Sequence, residues 1–123
     1  MHFRQLRQDG KKISAIGLGC WSFAGSYGPT TETEAHSTLS AARDLGVDFL
    51  DTANVYGMCV SESFIGSYLK ANQNSFTIAT KAGISRDPET GARTFNNQAA
   101  YLRTELEGSL SRLGLEQVDL YYM

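Results

Sequence analysis

Apolar and polar positions follow two rhythms along this chain, period two and period 3.6, and the rhythm switches repeatedly. Residues 3–6 and 12–15 are short extended-type segments flanking Gln8-Asp9-Gly10. Asp-Gly between two such segments predicts a β-hairpin, here placed ahead of the main sheet. Residues 16–20, Ile-Gly-Leu-Gly-Cys, are apolar and glycine-laced. They predict a first buried strand whose backbone is closely approached. A loop over 21–30 follows, with Gly25, Gly28 and Pro29. Thr31 and Glu34 have the spacing of a capping box, and Ala35, Leu39, Ala42 and Leu45 then recur at helical spacing. Gly46 stops this first helix.

Residues 47–51 predict a second strand with Val47, Phe49 and Asp51 on one face. A second helix begins near Ser61, with Ile65, Tyr68 and Leu69 as its apolar stripe. Gly66 inside it costs about 0.8–1 kcal/mol relative to alanine, so a close approach of another element is expected there. Residues 76–81 predict a third strand, Thr77, Ala79 and Lys81 sharing a face. Residues 82–96 read as a long polar loop with Pro88 and Gly91, of a length that is often functional. Asn96 or Asn97 is expected to cap a third helix carrying Leu102, Leu106, Leu110 and Leu113, ended by Gly114. Residues 118–123 predict a fourth strand.

A hairpin followed by βαβαβαβ is the pattern of an α/β protein with a parallel sheet and right-handed crossovers. An open doubly wound sheet and part of a (βα)8 barrel both satisfy it. A complete barrel takes roughly 250 residues; this chain has 123, enough for one ordinary domain. There is no internal repeat or low-complexity tract.

Composition narrows the classes. A net charge of −2 offers no basic excess for nucleic acid or an anionic membrane surface. The apolar runs fall well short of the roughly 20 residues of a membrane span. Met1-His2-Phe3-Arg4-Gln5 lacks the apolar core of a signal peptide. Two cysteines, Cys20 and Cys59, are expected to be reduced thiols of a cytoplasmic protein rather than a disulfide framework. Two histidines without zinc-ligand spacing argue against a metal site, and His36 reads as a surface residue of the first helix. Nothing beside Cys59 in sequence would activate a thiolate.

The candidate chemistry lies at strand ends. The second strand ends on Asp51 and the third on Lys81, and Tyr56 follows Asp51 by five residues. In parallel α/β folds the C-terminal edge of the sheet is where sites form. Taken singly, each has a plainer reading: a loop-capping aspartate, a packed aromatic, a strand-end lysine lying along apolar surface. Together they are complementary, because a buried ammonium needs a carboxylate partner and a nearby cation makes a phenol a better proton donor. A proton donor to a carbonyl oxygen requires a hydride or a nucleophile at carbon. No internal residue is an obvious nucleophile, so a hydride cofactor is the natural complement. Gly17-Leu18-Gly19 does not supply a dinucleotide fingerprint. Ser22 stands where a third glycine belongs, and about ten residues separate the turn from the next helix, which a pyrophosphate turn would open at once. Trp21 serves equally well as a core residue or as a wall of a substrate pocket.

The order and content of these segments resemble the aldo-keto reductases. The resemblance runs through 16–21, Gly46-Val47-Asp48-Phe49-Leu50-Asp51-Thr52-Ala53, Tyr56-Gly57, Ser61-Glu62, Ile65-Gly66 and Thr80-Lys81. It continues through Ser109-Leu110-Ser111-Arg112-Leu113-Gly114 and Val118-Asp119-Leu120-Tyr121-Tyr122. It implies a (βα)8 TIM barrel, of which residues 1–123 would be the N-terminal half: the hairpin, strands one to four and helices one to three. It implies NAD(P)H-dependent interconversion of small carbonyl compounds and alcohols, NADPH being the expected cofactor and NADH the other. By position, Tyr56 would be the proton donor, Lys81 would tune it, and Asp51 would pair with Lys81 beside the nicotinamide ribose. Cys20 and Trp21 would border the cofactor, and Trp21 and Tyr56 the substrate. The family's fourth catalytic residue is a histidine directly after the fourth-strand segment; the given sequence ends at Met123, and the histidine would be the next residue. The isolated chain is therefore expected to be inactive and prone to self-association or to pairing with a missing half-barrel. The alternative is a non-catalytic truncated half-barrel.

Overall fold

The computed structural model describes residues 1–6, 8, 10–72, 76–87 and 89–123. Strands β1 (Phe3–Gln5) and β2 (Lys12–Ser14) form the expected antiparallel hairpin, with Phe3 opposite Ser14; Asp9 of its turn lies outside the described residues. The hairpin is fastened to the sheet by polar contacts. Ser14 N–H donates to the Asp48 carboxylate (2.6 Å), Asp48 N–H donates to Ser14 Oγ (3.1 Å), and Lys11 reaches Asp119 (3.4 Å). Asp119 in turn accepts from Ile78 N–H (2.9 Å). Both aspartates sit just before strands, so the hairpin lies at the N-terminal end of the sheet.

Four short strands make that sheet: β3 (Leu18–Gly19), β4 (Phe49–Asp51), β5 (Thr77–Lys81) and, last in the chain, a strand over Leu120–Tyr122. All are parallel and lie side by side in chain order. A doubly wound sheet reverses its strand order at a switch point; none occurs among the described residues. Helix α1 (Glu32–Asp44), helix α2 (Val60–Asn72) and a third helix over Ala99–Leu113 form the second layer, α1 packing on α2 and α2 on the third. Sequential strands with neighbouring helices are the arc of a (β/α) barrel.

The core lies between the layers. Leu39, Leu50, Ile65, Tyr68, Ile78 and Leu113 are all at most 1% exposed. Each fully buried Leu or Ile contributes roughly 1.5–3 kcal/mol. The capping box of α1 forms as its sequence predicts: Glu34 N–H donates to Thr31 Oγ1 and Thr31 N–H to the Glu34 carboxylate. Gly66 carries the close approach expected of it, since a Cβ there would stand 2.0 Å from the Arg112 carbonyl oxygen.

Five local expectations are corrected, the last of them at the start of the third helix. The strand expected over 16–20 pairs only at Leu18 and Gly19, because Cys20 opens a 3-10 helix, Cys20–Ala24. Leu45 is 73% exposed, since it is the C-cap of α1 and lies past the turns that face the sheet. His36 is not a surface residue. It is half-buried between α1 and α2, with Nε2 2.9 Å from Ser67 Oγ and 3.1 Å from the Phe64 carbonyl, and its ring meets Tyr68 edge-on. The expected loop over 82–96 contains a hairpin, β6 (Ile84–Arg86) with β7 (Arg93–Phe95). Its turn is organised by Asp87, whose carboxylate accepts from Thr90 N–H (2.7 Å), the Thr90 hydroxyl and Glu89 N–H; these bonds, the one from Thr90 N–H foremost, hold the carboxyl below its usual range.

The third helix, now α3 (Ala99–Leu113), begins after Gln98, which makes no side-chain cap. Neither Asn96 nor Asn97 is its N-cap; Asn96 Oδ1 accepts from Gln98 N–H (3.0 Å) in the turn before it. Leu102 and Leu113 are buried as expected, and Gly114 ends the helix with φ 68°. The last strand is β8 (Leu120–Tyr122). Among the described residues no helix is long and apolar enough to cross a membrane.

Replacing Gly66 by alanine drives a methyl group into the backbone of α3 and forces α2 and α3 apart. A loss of about 1–3 kcal/mol or more is expected from such overpacking. Urea unfolding of the Gly66→Ala variant measures it; an unchanged midpoint would contradict the contact.

Candidate active site

The site is built at the C-terminal ends of β4 and β5. Register places Asp51 opposite Ala79, and the ladder continues past β4: Thr52 N–H donates to the Ala79 carbonyl (2.9 Å) and Asn54 N–H to that of Lys81 (3.3 Å). Side chains alternate along a strand, so Asp51 and Lys81 rise on one face while Thr52 and Thr80 point to the helices. Lys81 Nζ donates to the Asp51 carboxylate and to the Thr52 carbonyl (2.8 Å). Its side chain is 29% exposed and that of Asp51 44%. The pair therefore stands at a rim that solvent or a ligand can reach.

Two aromatic rings flank the ammonium. Lys81 Nζ lies 5.1 Å from the centroid of Tyr56 and 5.6 Å from that of Tyr122, within cation–π range. Tyr56 is delivered by a tight loop: its N–H donates to the Ala53 carbonyl (3.2 Å), and Cys59 N–H donates to that of Asn54 (2.9 Å). Three consecutive residues then take left-handed backbone, Gly57 at φ 61°, Met58 at φ 51° and Cys59 at φ 79°. Gly57 also needs its missing side chain, since a Cβ would come within 2.9 Å of Ala24 Cβ. This turn reverses the chain from Tyr56 into α2.

Trp21 extends the aromatic wall outward. It is 49% exposed, lies 6.3 Å from Tyr56 and meets Tyr27 edge-on at 5.6 Å. Ala53, Val55, Tyr56, Lys81, Ala82 and Ile84 line a cavity of about 140 Å³ beside the pair. Cys20 does not reach this rim. It is fully buried, and its Sγ donates toward the Leu18 carbonyl. Burial, reinforced by the Asp51 charge, pushes its thiol up from 9.0 to about 12. Burial also raises the Cys59 thiol, against the lowering effect of Arg112.

The sequence-derived residues Asp51, Tyr56, Lys81 and Trp21 thus meet at one place, and Cys20 stands behind it. Sequence reasoning missed Tyr122, Tyr27 and the Thr52 carbonyl. Tyr122 could have been found by the rule that found Lys81, since both end parallel strands and they pair directly. Tyr27 lies in a loop with no periodic signal. The space beside the carboxylate is open: a Cβ on Gly19, which pairs with Asp51, would meet nothing within 4 Å.

Comparison with known proteins identifies the family and the fold. The Aldo/keto reductase family pattern matches residues 15–123, and the chain belongs to that family. It is 38% identical over 113 residues to aldo-keto reductase yakc [NADP(+)] of Schizosaccharomyces pombe, covering 90% of this chain and 33% of that protein. It is 34% identical over 125 residues to L-galactose dehydrogenase of Arabidopsis thaliana, covering 99% and 37%. Among solved structures, aldo-keto reductase AKR11C1 from Bacillus halodurans in its holo form superposes with a TM-score of 0.86 at 31% identity, covering 98% of this chain and 39% of that one. The chain thus spans about a third of the length of the curated relatives it matches. The fold is that of the aldo-keto reductase barrels, represented here by four of its parallel strands.

Two outcomes follow from this geometry. The raised Cys20 thiol stays protonated in the folded chain while the unfolded chain ionises near its ordinary value of 9.0. Its stabilising contribution is complete below pH 9 and is lost as pH rises toward 12. Between pH 8 and pH 10 the folded state should lose on the order of 1 kcal/mol from this group, the scale of one pK unit. Urea unfolding at both pH values, compared with Cys20→Ala, isolates the effect; identical slopes would refute it. Met58→Gly should stabilise the chain by roughly 0.5–1 kcal/mol, removing the left-handed strain but adding backbone freedom to the unfolded state. A lowered melting temperature would show that Met58 is unstrained.

Proposed function

We propose that this chain carries the proton-donating side of an NAD(P)H-dependent carbonyl reductase site, acting on small aldehydes, ketones or the corresponding alcohols. In this reading residues 1–123 are the N-terminal part of one aldo-keto reductase barrel domain. The observation that carries it is the position of Lys81. Its ammonium is held by Asp51 and the Thr52 carbonyl and lies 5.1 Å from the centroid of the Tyr56 ring.

The chemistry follows from those positions. A bound nicotinamide supplies the hydride; the residues of this chain manage the oxygen. The Tyr56 hydroxyl gives its proton to the carbonyl oxygen as negative charge develops there, and the resulting phenolate recovers a proton from solvent. The Lys81 ammonium stabilises that phenolate by Coulomb attraction, which is stronger at a partly desolvated rim than in water. Asp51 fixes the ammonium in place and offers its exposed oxygen as an acceptor for a ribose hydroxyl. Trp21 and Tyr56 provide apolar faces for the substrate. Cys20, with its thiol buried, contributes only by supporting the backbone at the rim. A relative named for NADP(+) and a neighbour solved in holo form support the cofactor class, with NADPH the preferred form in this reading.

The test is Tyr56→Phe in the complete polypeptide that contains these residues. Loss of general-acid catalysis should lower turnover by about 10²–10⁴-fold. NADPH affinity, read by fluorescence titration, should stay near its original value. Full turnover in the variant would refute the proton-donor assignment.

A further inference from the structure

Ser61 and Glu62 lie in the first turn of α2, and neither reaches the rim where Lys81 and Tyr56 stand. Both are nonetheless completely buried. Glu62 is a charged residue inside the protein, which is costly unless its oxygens are matched. One oxygen accepts from Thr80 Oγ1 (2.6 Å) and the other from Arg112 Nε (2.7 Å). The Arg112 guanidinium is itself placed by α3, where it also donates to Ser109 Oγ (3.2 Å). Ser61 Oγ donates to the Cys20 carbonyl and accepts from Thr52 Oγ1, both at 2.9 Å.

The partners are informative. Thr52 directly follows Asp51 and Thr80 directly precedes Lys81. Each threonine points to the helix layer from beside a residue that points to the rim. One helical turn therefore grips the ends of two neighbouring strands from behind, through hydrogen bonds. Apolar packing could hold the helix against the sheet, but it is non-directional. Hydrogen bonds of fixed length and angle also set how far apart the strand ends stand and how each is rotated.

We propose that Ser61 and Glu62 are positioning residues: acting through Thr52 and Thr80, they set the relative placement of Asp51 and Lys81. The consequence for turnover rests on the functional reading of the preceding section; the geometric claim does not. In the complete polypeptide, Thr80→Val removes one hydroxyl at nearly constant shape and leaves the Glu62–Arg112 pair in place. The 15N resonance of the Lys81 ammonium should move toward that of a free lysine, and Thr80→Ser should return it. Ser61→Ala should produce the same movement through Thr52. Turnover of a carbonyl substrate should fall roughly 10- to 100-fold, the scale of a small misplacement, with KM for that substrate little changed. A merely structural role would lower the melting temperature and leave the Lys81 resonance and kcat where they were. That result, or failure of Thr80→Ser to restore the resonance, would overturn the proposal. If Tyr56→Phe remains fully active while the Lys81 resonance still moves in Thr80→Val, the catalytic reading fails and the positioning claim stands.

Discussion

A half-buried ammonium must find acceptors, and that requirement at Lys81 organises the structure around it. Its two acceptors, the Asp51 carboxylate and the Thr52 carbonyl, both belong to the strand end next to its own. This is possible only because β4 and β5 are neighbours in parallel register, with Asp51 level with Ala79. Parallel neighbours need a crossover, and α2 is that crossover. The ion pair therefore presupposes the helix layer, and the helix layer presupposes the apolar core beneath it. A local polar contact thus depends on the whole α/β arrangement.

The two faces of the strand ends divide the work. Asp51 and Lys81 look toward the rim, where exposure keeps them available. Thr52 and Thr80 look toward α2, where burial makes hydrogen bonds stringent because an unmatched polar atom there is expensive. The loop from Ala53 to Cys59 has to carry Tyr56 across the gap between strand end and helix in very few residues. It does so by turning left-handed three times in succession. Two of those residues are not glycines, so the short connection stores strain beside the phenol, a pattern met where a side chain must be held in one place.

The main architecture was legible in the residues because period and punctuation agree. The Thr31–Glu34 box, the Gly46 and Gly114 stops and the apolar stripes mark all three helices. The strand-end rule groups Asp51 and Lys81, with Tyr56 five residues after the first. The choice between an open sheet and a barrel needed the resemblance, since local patterns do not record strand order. What escaped has physical reasons. The β6–β7 hairpin is two three-residue strands, mostly exposed, so no buried face leaves a mark in Ile84-Ser85-Arg86 or Arg93-Thr94-Phe95. Asn96 has the residue type of a cap for α3 but serves the preceding turn instead. His36 looked like a surface residue because one helix does not reveal its neighbour. Nothing local marks Glu62 as buried, since its partners lie 18 and 50 residues away in sequence.

The contact at Gly66 has a bearing on how this sequence can drift. The atom opposing a side chain at position 66 is the Arg112 carbonyl oxygen, which belongs to the backbone. No change of residue at 112 would make room, so position 66 has no compensating partner. The other tie on 112 is of a different kind. Glu62 requires a cation there through its side chain, and a paired exchange of both for apolar residues of similar volume can satisfy the same space. One residue thus carries two constraints with opposite evolutionary behaviour, one that only permits glycine at its neighbour and one that permits coordinated change.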